Sequence, residues 1–151
     1  MISMAELGWI GEQEKRNHQA HQAHQEVSSE ANAVARAVVD AGFKVHKALG
    51  PGLLESVYEH CLVYELETRG LSLQRQSALP VRYGDVVLDA GYRLDLIVEG
   101  AVIVEIKTVD ILTRLHEAQL LTYLRMSGCR IGLLMNFNVA LFKQGVRRLV
   151  L

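Results

Sequence analysis

The chain has 151 residues, half of them hydrophobic, and a formal net charge of −1 at pH 7. That length suits one domain with a real core, and no apolar run approaches the roughly 18 residues of a membrane-spanning helix. The N-terminus carries no secretory apolar stretch, and Cys61 and Cys129 form neither a disulfide framework nor a zinc spacing, so a reducing cytoplasm is expected.

Charge is distributed unevenly. Residues 1–30 hold two basic and five acidic side chains, leaving 14 basic against 12 acidic in residues 31–151. Arginine outnumbers lysine eleven to five. Arginine forks suit phosphate, but a weakly basic enzyme surface would look the same, so charge decides little.

Residues 1–28 read as an appendage. The stretch "RNHQAHQAHQE" is poor in core-formers, and its three-residue repeat sets His18, His21 and His24 in register. On a helix that spacing would suit a metal, yet the expectation is a solvated extension, poorly ordered or helical. The folded domain is expected over residues 29–151.

From Ser29 an amphipathic helix runs through "SEANAVARAVVDAGFKVHKAL", with Val34, Val38, Ala41 and Val45 at helical spacing. "GPG" at 50–52 ends it. A second helix follows in "LLESVYEHCLVYELETR", with Leu54, Val57, Cys61 and Leu62 as the expected buried stripe and Gly70 as its cap. Strand patterns come next at about Leu73–Arg82, Val86–Val98 and Val102–Thr108, with a turn at Gly84-Asp85. A helix through "LHEAQLLTYLRMSG" precedes a buried strand, "RIGLLMNFNV", and a short last strand in "GVRRLVL". Strand, helix, strand in that order implies a right-handed crossover and a parallel pair. The expected class is α/β: a mixed sheet with helices on its faces.

The central hairpin, "GYRLDLIVEGAVIVEIKTV" at 91–109, carries charge where a core hairpin should not. A three-residue loop at Glu99-Gly100-Ala101 pairs Val98 with Val102, Leu96 with Val104 and Leu94 with Ile106 on one aliphatic face. The other face then pairs Ile97 with Ile103, Asp95 with Glu105 and Arg93 with Lys107. A two-residue loop would put a carboxylate on each face, so the hydrophobic pattern selects the longer loop. Opposed carboxylates about 4.5–5.5 Å apart at Cβ repel, which raises a pKa or recruits a cation. Two readings stay open on spacing alone. The acids hold a hard divalent ion with Lys107 beside it, or they form a salt-bridge ladder with Arg93 and Lys107.

Asp95 followed by Glu105-Ile106-Lys107 resembles the D…(D/E)xK signature of the PD-(D/E)XK nuclease superfamily. "GLLESVYE", with Gly52, Glu55 and Tyr58, resembles the motif that names its GxxExxY family, and Gln119 and Tyr123 in "HEAQLLTYL" resemble the QxxxY element of its exonuclease-like branch. The likeness extends over about residues 31–150. It implies a restriction-endonuclease-like mixed sheet flanked by helices on both faces, and a Mg²⁺ ion (Mn²⁺ substituting) held by Asp95, Glu105 and the carbonyl of Ile106. By the same resemblance Lys107 would position the attacking water, Glu55 would complete or orient the site, and Gln119 and Tyr123 would contact Lys107 or a substrate phosphate. Tyr58 is expected to pack with a polar tip, and His46 and His116 to be structural or solvated.

The function so implied is Mg²⁺-dependent hydrolysis of phosphodiester bonds in nucleic acid, with DNA the expected form and a homodimer compatible with two-strand cleavage. A nucleic-acid-binding module with little turnover and a non-enzymatic interaction domain are the alternatives.

Overall fold

The computed structural model describes residues 26–151, apart from the side chain of Ala90. The expected extension, with His18, His21 and His24, therefore lies almost wholly outside the described residues.

Helix α1 (Ser29–Leu49) begins where Ser28 Oγ accepts the Ala31 N–H at 3.1 Å and stops at Gly50, whose φ of +66° favours glycine. Ala35, Val38, Ala41 and Val45 form its buried stripe, with Val34 at the margin. Helix α2 (Glu55–Thr68) buries Tyr58, Glu59, Leu62, Val63 and Leu66. The expected stripe is thus corrected: Leu54 and Val57 are exposed, and Cys61 is only partly buried. Leu54 sits in extended backbone just ahead of the helix. The Tyr58 ring stacks on Phe137 with centroids 4.6 Å apart, which turns Val57 and Cys61 to the side.

Tyr58 also fixes the loop before α2. Its hydroxyl donates to Gly50 O at 2.5 Å and accepts the Leu53 N–H at 3.2 Å. Gly52 has φ +97°, so the loop needs a glycine there. A glycine turn, a glutamate opening the helix and a tyrosine locking the turn are one local device.

Strands β1 (Leu73–Tyr83), β2 (Val86–Val98) and β3 (Val102–Lys107) form an antiparallel meander. Helix α3 (Arg114–Ser127) crosses over to β4 (Ile131–Asn136), which lies parallel to β3. A four-residue helix α4 (Phe142–Gly145), too short for periodicity to show, leads into β5 (Val146–Val150), antiparallel to β4. The five strands lie in sequence order in one sheet. Helices α1 and α2 cover one face, against Leu96, Val98, Val104, Ile106, Leu133 and Met135. Helix α3 covers the other, against Leu79, Leu94, Ile103 and Leu134. This is the α/β mixed sheet with helices on both faces expected from the sequence.

The hairpin takes the three-residue loop: Val98 pairs Val102, Ile97 pairs Ile103 and Leu96 pairs Val104. The ladder then stops. Leu94 does not join Leu96 on the α1–α2 face, as strict alternation required, but packs on the α3 face. Strand β1 shows the same reversal, with Leu73 on one face and Leu79 on the other. Both switches fall at one step, where Gln76 has φ +47° and the Gln76–Asp95 rung is missing between Arg75–Leu96 and Ser77–Leu94. A left-handed residue half-turns the strand, so its neighbours no longer share a face.

Replacing Tyr58 by Phe keeps the stack on Phe137 and removes both hydroxyl bonds. Urea unfolding of Tyr58→Phe should show a loss of about 0.5–2 kcal/mol. No measurable change would mean that the hydroxyl does not hold the Gly50–Leu53 turn.

Candidate active site

The site begins where β2 leaves β3. In place of the next rungs, the Asp95 N–H donates to Glu105 Oε1 at 3.2 Å and the Ile106 N–H donates to Asp95 Oδ2 at 2.8 Å. Each carboxylate is thus bound to the other strand's backbone, while the expected rungs Asp95–Glu105, Leu94–Ile106 and Arg93–Lys107 do not form. Glu105 is 6 % exposed. The ion pairs among the described residues include Lys44–Glu65, Arg75–Glu59 and Arg147–Glu117, and none joins Arg93 or Lys107 to the hairpin acids. The salt-bridge ladder therefore does not form.

Burial, with neighbouring charge, disturbs all three nearby acids. Burial, then the charge of Asp95, pushes the Glu105 carboxyl up to about 8. Burial likewise raises Asp95, with the Ile106 N–H opposing and Glu59 adding to the rise. Glu55 at the start of α2 is largely accessible, yet partial desolvation and then Asp95 raise it, with Lys107 opposing. Acids held this way favour a proton or a cation among them.

Lys107 ends β3, and its direction is set by its neighbours. Its carbonyl accepts the Phe137 N–H at 2.9 Å. Opposite it in β4 is Asn136, almost fully buried. Asn136 Oδ1 accepts the N–H groups of Val109 and Asn138, and its Nδ2 donates to Val109 O at 2.8 Å. The segment leaving the site is thereby tied down on both sides.

On the α3 face a cleft of about 500 Å³ is lined by Tyr92, Lys107, His116, Gln119, Thr122 and Tyr123, among others. Gln119 and Tyr123, four apart, present one face to it. Tyr123 is 4 % exposed, so it is both core and cleft wall. Burial and the charge of Glu105 push its phenol up to about 12, which keeps the hydroxyl protonated as a donor near neutral pH. The acid pair does not line this cleft. Lys107 and Tyr123 connect the two regions.

Glu55, Asp95, Glu105 and Lys107 therefore lie near one another from α2, β2 and β3, and Lys107 joins them to the cleft lined by Gln119 and Tyr123 of α3. The Ile106 backbone meets the acid pair through its N–H. His46 stands apart, its Nε2 2.7 Å from Val139 O and its ring stacked on Phe142. His116, expected to be structural or solvated, does both structural and surface duty: its Nδ1 accepts the Thr113 N–H at 3.0 Å in a capping box, and it lines the cleft. Sequence reasoning missed Glu59, Gln76, Asn136 and Tyr92. Glu59 had a signal, a carboxylate one turn beyond Glu55, and Asn136 is the one polar residue ending the apolar run "IGLLMN".

Among the described residues no three His, Cys, Asp or Glu side chains converge as a metal cage. Two adjoining carboxylates with raised pKa values, beside main chain, instead suit a hard cation that keeps several waters, as Mg²⁺ does. The donor set fits such an ion.

The pH dependence has a definite sign. Glu105 titrates near 8 when folded against 4.5 for its unperturbed group, so the folded protein holds that proton more tightly. This contribution to stability is full below about pH 4.5 and lost as pH rises through about 8. In metal-free buffer Glu105→Gln should therefore gain stability over the parent across that window, by a few kcal/mol at its upper end. A difference that does not grow with pH would contradict the assignment.

The family model described as the PD-(D/E)XK nuclease superfamily matches residues 32–149. No curated protein and no solved structure matches the chain. The matched span takes in most of α1, all of α2 and α3 and the sheet as far as Leu149, so the chain belongs to the PD-(D/E)XK nuclease superfamily.

Proposed function

We propose that the protein is a Mg²⁺-dependent nuclease that hydrolyses phosphodiester bonds in nucleic acid, with DNA as its substrate. The observation that carries this reading is the buried acid pair at the parting of β2 and β3, in no ion pair but with the charge of Lys107 beside it. Superfamily membership points to nuclease chemistry and a nucleic-acid substrate.

Asp95 and Glu105 would hold the ion, with the Ile106 carbonyl. A bound divalent ion lowers the pKa of water and offsets charge on the scissile phosphate. Lys107, at the mouth of the α3 cleft, would position the attacking water and draw in the phosphate. Glu55 approaches from the opposite helical layer and would accept a hydrogen bond from that water. Gln119 and the Tyr123 hydroxyl would donate to phosphate oxygens in the cleft. Mn²⁺ would substitute for Mg²⁺.

The domain so proposed spans residues 29–151, with residues 1–28 as an extension. Cys61 and Cys129 are both free thiols, which supports a reducing cytoplasm, and no helix among the described residues is long and apolar enough to cross a membrane. The outer edges of β1 and β5 are unpaired within the sheet, which leaves room for a homodimer.

Purified protein should cleave DNA in Mg²⁺ or Mn²⁺ and not in chelator. Asp95→Ala should abolish both cleavage and saturable Mn²⁺ uptake. Lys107→Ala should keep Mn²⁺ uptake and lose on the order of 10²-fold or more in turnover. Salt-sensitive nucleic-acid binding without product would favour the binding module. Neither cleavage, metal uptake nor nucleic-acid binding would leave the interaction domain.

A further inference from the structure

Glu59 has no part in the chemistry above, yet it is a buried carboxylate one turn along α2 from Glu55, 8 % exposed. Its Oε1 accepts from Arg75 Nε at 3.3 Å and from an Arg75 terminal nitrogen at 3.2 Å, and its Oε2 accepts from Gln76 Nε2 at 2.9 Å. The same Gln76 nitrogen reaches Asp95 Oδ1 at 3.4 Å. With carboxylate oxygens on both sides, the amide must present its NH₂, so the orientation is fixed by its partners.

Asp95 is consequently held at both oxygens, Oδ2 by the β3 backbone and Oδ1 by Gln76. Gln76 takes the left-handed φ of +47° to do so, at the step where both strands switch faces. A non-glycine residue in that region persists only when its surroundings over-determine it, and such residues gather at functional sites. Arg75 offsets part of the charge of Glu59, whose remainder still adds to the rise at Asp95. A lysine at position 76 would compete with a metal for Asp95, and an acid would repel it. A neutral double donor does neither.

We propose that Gln76 is the positioning residue for Asp95, with Glu59 and Arg75 clamping its amide, and that this brace sets the carboxylate for cation binding. The proposal rests on the metal reading above only in its last clause. Outer hydrogen-bond partners of this kind typically govern metal affinity by 10–100-fold.

The decisive variant is Gln76→Gly, because glycine accepts φ +47° and should keep or raise the melting temperature. In the metal-free protein, amide hydrogen exchange at Ile106 reports directly on whether Asp95 Oδ2 is held. Exchange should quicken at least tenfold in Gln76→Gly, and Glu59→Gln should move it the same way. In parallel, Mn²⁺ titration should show affinity reduced by at least tenfold in both variants. Unchanged Ile106 exchange in Gln76→Gly, or Mn²⁺ binding equal to the parent's, would overturn the brace. A parent protein that binds no Mn²⁺ would instead remove the metal reading, and Ile106 exchange would still decide whether Gln76 holds Asp95.

Discussion

The strand pair β2–β3 gives up its ladder at Asp95 and Glu105, and the two carboxylates take the backbone N–H groups that the ladder would have used. That exchange is the constraint on which the rest depends. A regular hairpin would have carried the acids on one flat face, within reach of solvent and of Arg93. Parting the strands instead folds each carboxylate against the opposite backbone and buries Glu105, with Lys107 near enough to oppose the rise of both pKa values but in no ion pair with either acid. Burial is the main reason that both pKa values rise, and the charge of Asp95 adds to the rise at Glu105.

The surrounding elements make sense as supports for that unfavourable arrangement. The glycine turn before α2, locked by Tyr58, delivers Glu55 from one helical layer. The Thr113–His116 capping box starts α3 so that Gln119 and Tyr123 face Lys107 from the other layer. Asn136 pins the chain just beyond Lys107. A buried like-charge pair costs stability, and the apolar packing on both faces of the sheet offsets it. Such local destabilisation is common where a protein must bind a cation or develop charge, because the ligand supplies what the fold withholds.

Much of this was legible in the residues. Periodicity placed α1 from Ser29 to Leu49 and the parallel β3–β4 pair, and the aliphatic pattern Leu96, Val98, Val102 and Val104 selected the hairpin loop. Motif spacing brought together Asp95, Glu105 and Lys107, with Glu55 close to the acids and Gln119 and Tyr123 meeting Lys107 in the α3 cleft. What sequence did not show is where alternation fails. Extending the register through Leu94 assumed an unbroken pleat, and the pleat breaks opposite Gln76 of β1, whose positive φ its residue type does not announce. For the same reason the link between Gln76 and Glu59 was invisible, although Glu59 itself stood one turn beyond Glu55: the two lie on different elements. The rotation of α2 was set by the Tyr58–Phe137 stack, a contact between residues far apart in the chain.

The acid pair as a cation site is tested most directly by a crystal grown or soaked in Mn²⁺ and measured at the manganese absorption edge. An anomalous peak coordinated by oxygens of both Asp95 and Glu105 is the expected result. A map with no peak there at saturating Mn²⁺, with the carboxylates sharing a proton instead, would contradict it.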